Sequence, residues 1–336
     1  MKQRNYSIDF LKLYFALIIA VWHTPFPASF PVFDTSYVVC MFFILSGYFL
    51  VASFDSGKYR NPWDYTMNRV SRIYPYYFAA FLVMYLYTQR NSGLRTLVLE
   101  FFRSVPEMLM VQNTGIFSAG LNYPLWQLSA LIVVSHILFA LLGWNRQVML
   151  NAVCPVVGIC ALNYYLRVHV RAELPGSPFV ETALLRAAAG LCLGMTLYEP
   201  VKRVLKHLEE SSCRCMPVVV SAVSLFLLPV LWTNRMTYNV LLPFVGIMIC
   251  MLYSRSIWAN LFRSSKWRWM DRLSLGIYVN HALVARVFEE HQAICEGIPL
   301  PSDLVYLAVL IPYCIGMMWL TDRLVALGKK AAAGAV

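Results

Sequence analysis

The sequence predicts an all-α, polytopic helical integral membrane protein of about ten transmembrane helices, with both termini cytoplasmic. Three observations predict it. The 336 residues are 59% hydrophobic and only 13% charged, where a soluble domain carries about 25% charged residues. Apolar runs close to the ~20 residues that a bilayer-crossing helix needs recur along the chain. The basic residues sit in the short segments between those runs, as the positive-inside rule expects. A net charge of +11 would otherwise suggest nucleic acid. No basic helix or aromatic–basic module stands clear of the apolar runs, so no nucleic-acid partner is expected.

The candidate spans cover residues 8–27, 36–54, 74–90, 123–143, 148–167, 179–198, 217–233, 236–254, 273–290 and 303–326. The first run lacks a small-residue cleavage site and carries Asp9, Lys12 and His23, so it reads as a retained helix and not as a signal peptide. The run 236–254 is short and contains Pro243. Residues 94–112 repeat apolar side chains at helical spacing, interrupted by Arg95, Glu100 and Arg103. That is the pattern of an amphipathic helix lying at the interface.

Ten spans put both termini on one side. With the amino terminus inside, 19 of the 28 Lys and Arg residues fall in cytoplasmic segments or, for Arg323, at the cytoplasmic end of the last span. Six (Arg90, Arg95, Arg103, Arg167, Arg171 and Arg235) lie opposite, and Lys12, Arg186 and Arg286 fall within spans. This bias assigns the termini to the cytoplasm. No repeat or linker interrupts the pattern, so residues 1–336 read as one membrane domain with no appended soluble domain. Six of the nine cysteines lie inside apolar runs, and Cys213 and Cys215 match no metal or redox spacing. Neither a disulfide framework nor a metal site is expected.

Ionisable groups inside membrane helices are costly and are functional candidates by default. Lys12 and His23 are 11 residues apart, about three helical turns, and so share one face roughly 16 Å apart. Asp9 joins that face one turn before Lys12 and can pair with it. The arrangement suits a long substrate with a charged head and a reactive tail, such as acyl-CoA, with histidine as the base. It is equally met by a Lys12 that snorkels and a His23 that marks the far boundary.

In the second span, Ser46-Gly47 within MFFILSGYFL first suggests close helix packing. The third helix is expected to begin with NRVSRIYPYY, residues 68–77, placing Arg69 and Arg72 on one face at its amino end. Arginine forks suit phosphate, and two cations at a helix amino terminus are electrically odd unless an anion binds. Ordinary positive-inside flanking accounts for them as well. Trp126 sits at an interface position, and His136 is either a hydrogen-bonded helix contact or a catalyst. Ser274, Tyr278 and His281 form an i, i+4, i+7 stripe that should line the bundle interior. Arg186 and Arg286 face either an acceptor or lipid headgroups on the outer side. His169, His207 and His291 attract no role.

Four segments, in order, resemble the acyltransferase 3 family of membrane O-acyltransferases. IDFLKLYFALIIAVWH is similar to the family's opening signature, with its basic-x10-His spacing. FFILSGYF, RVSRIYP and SLGIYVNH resemble its Phe-Phe-x-x-Ser-Gly, Arg-x-x-Arg-Ile-x-Pro and Ser-x-x-x-Tyr-x-x-His segments. The resemblance implies that His23 is the catalytic base and that Lys12, with Asp9 beside it, assists acyl-CoA. It implies that Arg69 and Arg72 grip the CoA phosphates. It also implies transfer of the acyl group through the membrane to an acceptor on the far side. Ser46, Tyr76, Trp126, Ser274, Tyr278 and His281 are candidates for the bundle interior or acceptor site. Many members carry Trp-Ser-Leu-x-x-Glu in the fourth span. Here the run is Trp126-Gln127-Leu128-Ser129-Ala130-Leu131, so a Glu-assisted step does not carry over.

The expected activity is transfer of an acyl group, acetyl first, from acyl-CoA on the cytoplasmic side to a hydroxyl of a cell-envelope or exported glycan, in the bacterial cytoplasmic membrane. Acetyl-CoA, a carbohydrate or lipid-linked glycan acceptor and membrane lipids are the expected partners, with no metal. A covalent acyl-His23 intermediate stays open. A transporter using the Lys12/His23 stripe as an anion or proton pathway is the first alternative, although no repeated half or matching pair of broken helices supports it. A non-catalytic membrane subunit is the second. The loops 167–178 and 290–302 are expected to help choose the acceptor.

Overall fold

The computed structural model describes residues 5–26, 36–115, 120–170, 181–233, 241–292, 298 and 300–334. Over these residues the chain is all-α. Helices α1 (Ser7–Trp22), α2 (Ser36–Asp55) and α3 (Pro62–Thr88) come first, followed by the short α4 (Leu94–Arg103) and α5 (Val105–Met108). Next come α6 (Trp126–Val148), α7 (Cys154–Tyr165), α8 (Thr182–Glu210), α9 (Met216–Thr233) and α10 (Leu241–Leu252). The chain ends with α11 (Ile257–Leu261), α12 (Trp269–Glu290) and α13 (Ser302–Gly334).

The stretches Tyr37–Asp55, Tyr123–Val168 and Ser302–Ala331 are long and apolar enough to cross a membrane, and Met216–Pro229 and Leu241–Leu252 are shorter apolar helices. Leu242, Phe226 and Val218 point outward, 79%, 72% and 69% exposed. An outer surface this apolar, on helices that satisfy their own backbone hydrogen bonds, belongs to a polytopic membrane protein.

Helix ends depart from the expected spans because hydropathy detects only the apolar part of a helix. Helix α3 starts at Pro62, well before residue 74. Asn61 accepts the Asp64 N–H as N-cap and Pro62 fills the first turn, where its missing N–H costs nothing. Arg69 and Arg72 therefore lie within the helix and not at its amino terminus, and the dipole argument for an anion there does not hold. Helix α8 likewise runs on to Glu210, and α12 begins at Trp269.

The segments expected as the fourth and fifth spans are joined through a single non-helical residue. Asn145 adopts φ −155° and ψ 95° inside an otherwise helical run, and its side chain accepts the Val148 N–H at 3.0 Å. It ends one helix and caps the next. The expected interfacial helix over 94–112 is two pieces, α4 and α5, parted at Ser104. Pro106 has no N–H to continue the first piece. No residue of α4 is buried, and Leu94 and Phe102 are 78% and 67% exposed. The loops expected to influence acceptor choice lie mostly outside the described residues.

Three seams organise the bundle, α2 against α8, α7 against α8 and α1 against α12, and the first and last of these frame the site. Helix α1 is buried nearly all round, with Leu11, Phe15, Ala16 and Ala20 at 0% exposure, as a central helix must be.

Candidate active site

A cavity of about 650 Å³ opens where α1, α2, α3, α6, α12 and α13 meet. Lys12, Ser46, Arg69, Arg72, Tyr76, Ser274 and Tyr278 all line it. Its wall carries five cations, Lys12, Arg69, Arg72, Arg272 and Lys329, against two carboxylates, Asp271 and Asp322. The excess of positive charge favours an anionic ligand.

These charges are partly engaged with one another. The Lys12 ammonium contacts Asp271 at 2.9 Å and Asp9 at 3.4 Å, and Arg72 reaches Asp271 at 3.8 Å. Arg272 donates to Asp322 and, at 2.9 Å, to the Tyr76 hydroxyl, which donates to Asp322 at 2.6 Å. Arg69 donates to the Tyr65 hydroxyl. Asp9 belongs to the ion-pair chain without lining the cavity. Deeper in, the Gln127 Oε1 is buried without a hydrogen-bond partner among the described residues.

His23 lies elsewhere. It caps the carboxyl end of α1 and lines a second cavity of about 450 Å³ with Tyr123, Pro124, Ala282, Ala285, Arg286 and Glu289. Its Nδ1 is 2.8 Å from the Ile19 carbonyl oxygen. A carbonyl only accepts, so the proton sits on Nδ1 and Nε2 keeps its lone pair. The His281 ring lies behind it, centroids 4.9 Å apart at 60°. His281 is 0% exposed, its Nδ1 bonds the Tyr278 carbonyl at 2.8 Å, and its Nε2 has no partner among the described residues. Two imidazoles with like tautomers thus stand together at one end of the α1–α12 seam.

Tyr278 and Pro124 divide the two cavities. Tyr278 lines the basic cavity, Pro124 lines the histidine cavity, and the Tyr278 hydroxyl donates to the Pro124 carbonyl. The segment bearing Pro124 is held from below by Glu107 of α5. Its carboxylate accepts the Leu121 N–H at 2.6 Å and the Asn122 N–H at 2.9 Å. Asn122 in turn donates to the Val279 carbonyl at 3.0 Å. Glu107 is 2% exposed, and burial pushes its carboxyl above the ordinary range, against the opposing pull of those two N–H groups.

Other candidates separate from both cavities. Trp126 packs on Phe43 and stacks under Arg186, its ring 5.4 Å from the guanidinium, which lies 4.9 Å from Tyr165. At 8% exposure, Arg186 is inside the bundle and not at a lipid headgroup, whereas Arg286 does line the histidine cavity. His136 is a helix contact, 2.9 Å from the Thr66 hydroxyl. Among the described residues no group of three His, Cys, Asp or Glu side chains converges as metal ligands would.

Sequence reasoning missed Asp271, Arg272, Asp322, Lys329 and Gln127. A signal existed for Asp271: it sits three residues before Ser274, continuing the Ser274/Tyr278/His281 stripe one turn outward. It was hidden by starting the span at 273.

Searches of curated protein sequences and of solved structures return no significant match. A protein-family model described as an acyltransferase domain, by contrast, matches residues 5–322, from ahead of α1 to well inside α13. It takes in the whole histidine cavity and all of the basic cavity's named wall except Lys329, and the chain belongs to the acyltransferase 3 family of membrane acyltransferases.

Proposed function

We propose that the protein moves an acyl group, acetyl in the first instance, from acyl-CoA at the cytoplasmic face to a hydroxyl of a cell-envelope or exported glycan. The reading takes the chain as ten spans with both termini in the cytoplasm, so the basic cavity faces the cytoplasm and the histidine cavity faces outward. One observation carries it. The cation-lined cavity and the histidine stand at opposite ends of the same buried helix, 11 residues and roughly 16 Å apart. A phosphate-bearing head with a long flexible arm spans that distance.

Arg69, Arg72 and Lys12 hold the CoA phosphates. Arginine forks bind phosphate oxygens bidentately, and Lys12 is released from Asp271 as the anion arrives. The pantetheine arm passes Ser274 and Gln127, whose unpartnered Oε1 accepts an amide N–H. It then passes Tyr278 to bring the thioester carbonyl towards His23. The acceptor hydroxyl forms its new C–O bond at that carbonyl while the His23 Nε2 takes its proton. The C–S bond breaks, and the proton ends on the departing CoA sulfur. No redox partner or metal enters the balance.

The test is transfer from labelled acetyl-CoA by the full chain in proteoliposomes, with a crude glycan or lipid-linked sugar extract as acceptor. Wild type should label the extract and release CoA, and His23→Ala should lose at least about 100-fold in rate, the low end for general-base removal. Failure of the wild type to bind acetyl-CoA, together with no difference from the variant, would sink the reading in favour of solute transport.

A further inference from the structure

We infer that the histidine cavity is an acceptor subsite for a non-anionic sugar ring, with Glu289 as its hydroxyl-binding carboxylate and Tyr123 as its stacking face. The assignment rests on the acyl-transfer reading for the identity of the ring as acceptor. Helix α12 presents Ala282, Ala285, Arg286 and Glu289 to the cavity. Their i, i+3, i+4, i+7 spacing is one helix face. Two alanines leave the floor open beside His23, and the charged pair lies farther along the same face. At about 450 Å³ the space falls in the usual range for small-molecule sites, roughly 300–1,000 Å³.

The charges at the rim are unequally committed. Glu290 is occupied by Arg90 at 2.6 Å, Tyr87 at 2.8 Å and Arg286 at 3.5 Å. Arg286 also reaches Thr88 at 3.4 Å. Glu289 has no hydrogen bond or ion pair among the described residues, although it lines the same cavity as the His23 base. An ionised carboxylate has only acceptor sites, so its complement is a donor, and a sugar offers adjacent hydroxyls.

Tyr123 is 56% exposed while the following Pro124 and Leu125 are buried. The residues on either side of it are held, Asn122 by Glu107 and Val279 and Pro124 by Tyr278. An exposed ring on a segment held in this way is a platform for the C–H face of a pyranose. Of the two lining carboxylates, Glu290 is paired with Arg90 and Arg286, which leaves Glu289 as the uncommitted charge among the described residues. A uronic acid or phosphorylated sugar placed against Glu289 would be repelled. An acyl chain would strand the charges without hydrogen bonds.

The experiment uses the full chain in detergent and ligand-detected NMR. The probes are the methyl glycosides of glucose, galactose, mannose, rhamnose and N-acetylglucosamine, with the methyl glucuronide and galacturonide as anionic counterparts. At least one neutral glycoside should bind and both uronides should not. Glu289→Gln should weaken the neutral glycoside at least about tenfold, the low end for a hydrogen bond to a charged group. Tyr123→Ala should weaken it as well. Acetyl-CoA binding should be unchanged in both variants, which also shows that they fold. No binding by any neutral glycoside, equal binding by the uronides, or an unaltered affinity in Glu289→Gln overturns the assignment. Loss of acetyl-CoA binding and transfer with glycoside binding intact would instead count against the acyl-transfer reading alone.

Discussion

The α2–α8 seam and the α1–α12 seam both run through the middle of the bundle, and they are built from opposite materials. Between α2 and α8 the backbones nearly touch. A Cβ placed on Gly47 would overlap the Leu191 carbonyl, one on Gly194 the Ile44 carbonyl, and one on Gly190 the Phe43 side chain. Gly190 and Gly194 form a G-x-x-x-G pair, the arrangement that lets membrane helices pack through backbone contact. Between α1 and α12 the apolar packing is bracketed by polar contacts, the Lys12–Asp271 ion pair near one end and the His23–His281 ring pair at the other. A cavity lies at each end. Inside a membrane, where lipid tails are as apolar as side chains, close packing makes the scaffold. Polar groups are tolerated where they meet each other or open space. The first seam excludes atoms, and the second admits them.

Breaking the dry seam should have the largest effect. Gly194→Leu forces a branched side chain onto the Ile44 backbone, and overpacking of this kind costs about 1–3 kcal/mol or more. The variant should fail to accumulate as monodisperse protein in detergent, as size-exclusion chromatography with a fluorescent fusion would read. Recovery of a wild-type elution profile and melting temperature would mean that this contact is not structural.

A milder change sharpens the contrast on the polar seam. Asp271→Asn removes a counter-charge from Lys12 and Arg72 while keeping the shape. The freed cations should hold acetyl-CoA about two- to fivefold tighter, the scale of a part-exposed ion pair, and the gain should fade with added salt. The fold should be intact by the same chromatographic profile. Weaker acetyl-CoA binding in a folded variant would make Asp271 an organiser of the cavity and not a competitor of the phosphates.

The smallest effect is expected at Glu107, which supports the wall between the cavities from outside both seams. Its carboxyl is raised above the ordinary range by burial. Between the ordinary carboxylate value and the raised one, the folded state therefore holds more protons than the unfolded state. Stability falls as pH rises through that window and levels off above it. Glu107→Gln cannot titrate and should flatten this part of the profile of thermal midpoint against pH. An unchanged slope in the variant would assign the pH dependence to another group.

Much of the molecule was legible from local properties. The membrane class follows from composition and from apolar runs, which each helix carries within itself. The face shared by Lys12 and His23 follows from helical spacing alone, as does the burial of the Ser274/Tyr278/His281 stripe. Four short motifs in order sufficed for the family. Tertiary structure decided the rest, because the deciding contacts join residues far apart in the chain. Lys12 meets Asp271 across 259 positions, Tyr278 meets Pro124 across 154, and Asn122 meets Val279 across 157. No local pattern encodes such pairs. Only the packed bundle set Asp271 against the Lys12 and Arg72 cations, divided the interior into a basic cavity and a histidine cavity, and left Glu289 facing the latter. The physical reason is that hydropathy and periodicity report which face of a helix is buried, whereas a site is made where several such faces fail to close.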